Sequence, residues 1–134
     1  MDFSYSNEDR LLTVYLTEEI DQHTAEKVRR KIEDEIERFI PRKVIFDFDN
    51  ISFMDSSGIG MVLGRYKLAK MLGGDFEIIN VNKSIKRIFE MSGVTRIIMT
   101  REKNNIKIEE KQGIINEKIQ KNFNEEEEDE GIIW

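Results

Sequence analysis

The sequence predicts one α/β domain whose helices cross over between the strands of a mixed sheet. Three observations lead there. Apolar residues recur at spacings of three and four over residues 25–40 and again over 56–71, short β-branched and aromatic runs stand between these stretches, and 134 residues leave room for a single packed core.

Residues 3–6 and 11–17 read as two strands around a turn at Asn7-Glu8-Asp9-Arg10, with Leu12, Val14 and Leu16 alternating onto one face. A hairpin therefore opens the fold. Ala25, Val28, Ile32, Ile36, Phe39 and Ile40 then mark one side of an amphipathic helix. Asp21 or Thr24 can cap its start, and Pro41 ends it because the residue before a proline avoids helical geometry. Val44-Ile45-Phe46-Asp47-Phe48 follows as a buried strand, with a turn at Asp49-Asn50 behind it. Residues 51–55 form a loop. From Ser56 to about Met71 a second helix carries Ile59, Val62, Leu63, Tyr66 and Ala69 on one face, and Gly73-Gly74 close it. Residues 76–79 supply a strand, 83–91 a helix with Ile85, Ile88 and Phe89 inward, and 96–99 a last short strand. Beyond Arg101, residues 106–108 read as a strand and 114–123 as a helix, while the unbroken acidic run 125–130 repels itself and is expected to be disordered. This places a domain at 1–101 and a C-terminal extension at 102–134.

Composition narrows the function. Hydrophobic residues make up 39% and charged residues 36%, the balance of a soluble globule. Neither a run of roughly 20 apolar residues nor a basic start with an apolar core is present, so no membrane span is expected and the predicted compartment is the cytoplasm. With no cysteine there is no disulfide, thiol nucleophile or Cys-based metal site. The net charge of -6 is uneven: residues 102–134 hold ten acidic and five basic side chains, leaving 17 and 16 in residues 1–101. No strong positive field is available, which argues against nucleic acid as a partner.

Ser52-Phe53-Met54-Asp55-Ser56-Ser57-Gly58-Ile59-Gly60 places small hydroxyl residues where a loop meets a helix start. Such a terminus carries free N–H groups and partial positive charge, and accepts either a capping Asp or Ser or an added phosphate. Gly58, Gly60 and Gly64 spell G-x-G-x-x-x-G, which lacks the dinucleotide fingerprint and the Walker lysine-serine pair and fits close helix packing better. His23 is the single histidine and assembles no catalytic triad. Glu18, Glu19, Asp21 and Asp55 can gather at one end of the sheet, where a solvated rim is favoured over a weak magnesium site. Arg65, Lys67, Lys70, Lys83, Lys86 and Arg87 read as the wet sides of two helices. No catalytic residue, cofactor or metal ligand is assigned.

The 52–60 stretch, continued through Leu63-Gly64-Arg65-Tyr66-Lys67, is very similar to the signature of the STAS-domain family in its anti-sigma factor antagonist branch. Ile88-Phe89-Glu90-Met91-Ser92-Gly93 resembles the family's second segment, and Glu19-Ile20-Asp21 with His23-Thr24-Ala25-Glu26 resembles its motif before the first helix. The resemblance spans residues 2–101. Glu18 departs from it, standing where the family usually has a glycine. It implies the STAS fold, a mixed sheet of four or five strands with flanking helices, and a phosphorylation site at Ser56, the first serine of Asp-Ser-Ser-Gly. It also implies a partner-binding surface of Asp21, Asp55, Ser56, Ser57, Gly58, Ile59 and Gly60. The implied partners are an ATP-dependent anti-sigma serine kinase, bound by the unphosphorylated form with release of the sporulation sigma factor (sigma-F), and a manganese-dependent serine phosphatase. Such a chain is a substrate and ligand, not an enzyme. The competing expectations are a small nucleotide-binding or hydrolysing protein, an antagonist in a stress-response sigma pathway, and a transporter-associated STAS module.

Overall fold

The computed structural model describes residues 1–17 and 19–103. The strand expected at 106–108, the helix expected at 114–123, the acidic run and Glu18 lie outside the described residues.

The chain opens with strands β1 (Asp2–Ser6) and β2 (Leu11–Tyr15), antiparallel across the expected turn. Ser6 Oγ accepts the Asp9 N–H at 3.2 Å, and Arg10 takes a left-handed φ of 52° to bring the chain back. Helix α1 (Ala25–Phe39) follows, burying Val28, Ile32 and Ile36. It ends at Ile40 with φ 43°, an uncommon conformation for a β-branched residue, held by a bond from Arg10 Nη2 to the Ile40 carbonyl at 2.8 Å and followed by Pro41. Strand β3 (Lys43–Asp47), helix α2 (Ser56–Met71), strand β4 (Asp75–Val81) and helix α3 (Lys83–Ser92) come next, close to their predicted bounds.

The last predicted strand is displaced. Gly93, at φ 87°, closes α3 and starts a single helical turn, α4 (Val94–Ile97), which buries Val94. Strand β5 therefore runs Met99–Glu102 instead of 96–99. The isoleucine pair that suggested a strand lies at the end of that turn, where Ile98 is buried in the core.

The five strands lie in chain order, β1-β2-β3-β4-β5, with every pair after the hairpin parallel. Parallel neighbours need crossovers, and α1, α2 and α3 with α4 supply them. Leu12, Val14 and Leu16 of the β2 segment join Val44, Phe46 and Phe48, Phe76 and Ile78, and the inward faces of the helices in one core. Burying each such side chain stabilises the fold by about 1.5–3 kcal/mol. Phe48 and Phe89 meet edge to face at 5.6 Å between ring centres, tying the end of β3 to α3. On the opposite sheet face, Glu77 is buried between Lys43 (2.7 Å) and Arg101 (2.7 Å), which links β3, β4 and β5. These cations, foremost Lys43, hold its carboxyl below the usual glutamate range against the opposing effect of burial.

One predicted surface residue is internal. Arg65 is 6% exposed and pairs with Glu33 of α1 at 3.0 Å, leaving Nε and Nη1 without a partner. The apolar period of α2 placed it on the wet side, but α2 is covered by both the sheet and α1, so its dry face is wider than one stripe.

Candidate functional site

The loop between β3 and α2 carries the residues singled out by the sequence, and its geometry is fixed from several directions. Ile51 and Met54 are buried, while Ser52 and Phe53 are exposed. Met54 forms an isolated parallel bridge with Ile20, and the Asp55 N–H donates to the Ile20 carbonyl at 3.2 Å. Asp21 and Asp55 each follow one partner of that bridge, so parallel pairing brings them out side by side at one end of the sheet.

Asp55 is the N-cap of α2. Its backbone is extended, and its Oδ1 accepts the Ser57 N–H at 2.8 Å. The Gly58 N–H goes to the Asp55 carbonyl at 3.0 Å. Two N–H groups of this helix start are therefore already engaged, and of the occupants the sequence allowed, a capping Asp or Ser or an added phosphate, the cap is present and is Asp55. Ser56, the first helical residue, is exposed, and Ser57 is half-buried.

Asp21 is similarly committed. Its Oδ1 accepts the N–H groups of His23 (2.9 Å) and Thr24 (3.0 Å), and these bonds, that of Thr24 first, hold its carboxyl below the ordinary aspartate value of 3.8. Thr24 occupies the N-cap position of α1, but its hydroxyl donates to the Glu19 carbonyl at 2.8 Å instead of capping. Of the two predicted caps, Asp21 gathers the N–H groups, one turn ahead of the helix.

The glycines divide. A Cβ at Gly58 would overlap Cγ and Sδ of Met54, so close packing requires glycine there, and Gly58 is buried. At Gly60 and Gly64 a Cβ would meet no atom within 4 Å, so packing does not explain them. Gly60 is exposed and, with Ser57, Met61, Gln22, Ala25 and Arg29, lines an open depression of about 260 Å³ between the first turns of α1 and α2. Ile59 beside it is half-buried.

Two further residues shape this region: Glu19, which the sequence offered only as one acid of a solvated rim and as part of the motif before α1, and Asn82, which it did not mark. Glu19 accepts from Ser52 Oγ through Oε2 (2.9 Å) and from the Phe53 N–H through Oε1 (2.9 Å), while Asn82 Nδ2 reaches the Ile51 and Ser52 carbonyls at 3.3 and 3.4 Å. These contacts span about thirty residues of chain, beyond any local pattern. Among the described residues, no three acidic or histidine side chains converge as a metal site would require, and no helix is long and apolar enough to cross a membrane. Glu19, Asp21 and Asp55 instead serve separate hydrogen-bonding tasks.

The arrangement offers an exposed hydroxyl beside fixed negative charge, at a helix start whose preceding loop is held by several hydrogen bonds, with an open helix face next to it. Comparison with known proteins bears on the chain as a whole. The STAS domain pattern matches residues 3–111. The anti-sigma F factor antagonist of Paenibacillus polymyxa is 39% identical over 88 residues, covering 66% of this chain and 75% of that protein. The structure of the anti-sigma factor antagonist SpoIIAA in its unphosphorylated form superposes with a TM-score of 0.62 at 30% identity, over 86% of this chain and all of that one. The Bacillus cell fate determinant SpoIIAA in its phosphorylated form does so at 0.57 and 30%, over 74% and 90%.

Proposed function

The chain belongs to the STAS-domain family, and from that premise we propose that it is an anti-sigma factor antagonist switched by phosphorylation of Ser56. In this reading the unphosphorylated chain binds an ATP-dependent anti-sigma serine kinase in the cytoplasm and releases sigma-F. The kinase phosphorylates Ser56, and a manganese-dependent serine phosphatase restores the binding form. The chain itself catalyses nothing.

The observation that carries the proposal is Ser56 itself: an exposed hydroxyl at the first residue of α2, next to a carboxylate locked into the cap. A kinase can reach it without unfolding the domain. The partner surface consists of Asp21, Asp55, Ser56, Ser57, Ile59 and Gly60, with Gly58 beneath them holding the helix against Met54. A phosphoryl group adds nearly two negative charges at neutral pH. Asp55 and Asp21 repel it, and a partner docked over the same helix start would have to desolvate it at a cost of about several kcal/mol. The fold tolerates the change because Ser56 is already in water.

The test mixes the purified chain with a purified anti-sigma serine kinase and ATP. Mass spectrometry is expected to place phosphate on Ser56 in the wild type and in Ser57→Ala, and calorimetry to find tight binding by Ser56→Ala that ATP no longer abolishes. Phosphate on Ser57, or undiminished affinity of the phosphorylated chain, sinks the mechanism.

A further inference from the structure

Phe53 is 57% exposed on the loop leading into Ser56, three residues ahead of it. An exposed aromatic on a loop ordinarily gains from turning inward or from moving freely. Here the ring stands outward while the backbone that carries it is held: its own N–H is bound by Glu19 at 2.9 Å, the preceding hydroxyl by the same carboxylate at 2.9 Å, and the following Met54 is buried and bridged to Ile20. Asn82 fixes the carbonyls of Ile51 and Ser52 from the α3 side. The backbone that presents the ring is therefore ordered before any partner arrives, which removes much of the entropic penalty of docking. Rigid aromatic anchors next to charged residues are what dominant interface positions look like.

We propose that Phe53 is an apolar anchor for the anti-sigma factor, and that Glu19 is the positioning residue that holds it outward. The inference rests on the functional reading above and adds to it a contact outside the phosphoacceptor motif. The occupant follows from what surrounds the ring. Phe53 is continuous in sequence with Ser56, and Asp21 and Asp55, carried out together by the Ile20–Met54 bridge, give this end of the sheet fixed negative charge. The fitting surface is an apolar pocket bordered by basic side chains. Among the described residues the other large exposed apolar side chains stand on other elements: Tyr15 at the end of β2, Ile40 after α1, Met71 and Leu72 at the end of α2, Met91 near the end of α3, Ile97 at the end of α4 and Met99 at the start of β5.

Calorimetric titration of the full chain with the same kinase tests the anchor. Phe53→Ala is expected to weaken binding at least tenfold without shifting the unfolding midpoint, while Met71→Ala stays within twofold of wild type. Phe53→Leu recovers part of the loss. Glu19→Ala loses several-fold, and Glu19→Gln, whose amide oxygen can still accept the Phe53 N–H, stays closer to wild type. In the kinase assay Phe53→Ala raises KM for Ser56 phosphorylation and leaves kcat unchanged. Binding by Phe53→Ala within twofold of wild type overturns the proposal, as does a loss of self-association with partner affinity intact, which would assign the ring to a second copy of the chain. Failure of the unsubstituted chain to bind overturns the functional reading and the anchor together, and is distinguished by needing no substitution.

Discussion

Helices α2 and α3 begin alike. Each has an extended N-cap residue, Asp55 and Asn82, whose side-chain oxygen accepts a backbone N–H at 2.8 Å, and each carries an exposed serine in its first turn, Ser56 and Ser84. They differ in what precedes them. Helix α3 leaves β4 with only Asn82 between, and Lys83, Lys86 and Arg87 are the sequence neighbours of its serine. Helix α2 is preceded by a loop tied to Glu19, Ile20 and Asn82, with Asp55 next to its serine and Asp21 opposite Asp55 across the Ile20–Met54 bridge. A capped helix start bearing a serine is thus common chemistry, and the loop and its acids turn one copy of it into a site.

The largest expected effect separates the two serines directly. Ser56→Asp should cost at least about 100-fold in kinase affinity, equivalent to about 2.7 kcal/mol, while Ser84→Asp stays within twofold. Equal losses in a calorimetric titration would break the comparison. Next comes the glycine pair. Gly58→Ala forces a methyl group into Met54 and should destabilise the domain by about 1–3 kcal/mol in urea unfolding. Gly60→Ala meets no atom and should stabilise the helix by up to about 1 kcal/mol, yet weaken partner binding because the methyl group stands on the exposed face.

Much of this was legible in the sequence because it is local. Helix α2 starts and ends at its predicted residues, and the bounds of α1 follow from its 3.6-residue period and Pro41. Strand β5 was misplaced because an edge strand reading Met-Thr-Arg-Glu has little apolar pattern, while Ile97-Ile98 next to it has a strong one. Arg65 was misread because burial against a second helix is a tertiary fact. The sequence marked Glu19 only as an acid of the rim and of the motif before α1, and Asn82 not at all; the loop-holding task of both was hidden because their partners lie about thirty residues away. The nearness of Asp21 to Asp55 was suggested by family resemblance and has its physical cause in the Ile20–Met54 bridge.

Smaller effects sharpen the contrast between the helix starts. Asp55→Ala removes a cap worth about 1 kcal/mol, and Asn82→Ala should cost more, up to about 2 kcal/mol, because its amide also holds the Ile51 and Ser52 carbonyls. If thermal unfolding ranks them the other way, the loop does not depend on α3. Glu77→Gln is the control remote from both. Its cost at neutral pH should be about 0.5–1 kcal/mol, since Lys43 and Arg101 remain largely in water. Because folding lowers the Glu77 pKa, its contribution is complete above the ordinary value of 4.5 and is lost as pH falls through the folded value. The gap between variant and wild type should therefore close in acid, and a gap that widened would reverse the assigned sign.

The bridge between Ile20 and Met54 also bears on how such domains can be rebuilt. It joins the segment entering α1 to the segment entering α2, and the Glu19 carboxylate fastens the same two segments a second time. A signature stretch transplanted from a relative would arrive without the carboxylate and carbonyl that shape it. Chimaeras that exchange partner preference should therefore carry residues 19–24 and 51–60 as one cassette, and those that move the serine-bearing segment alone should lose the conformation they were meant to transfer.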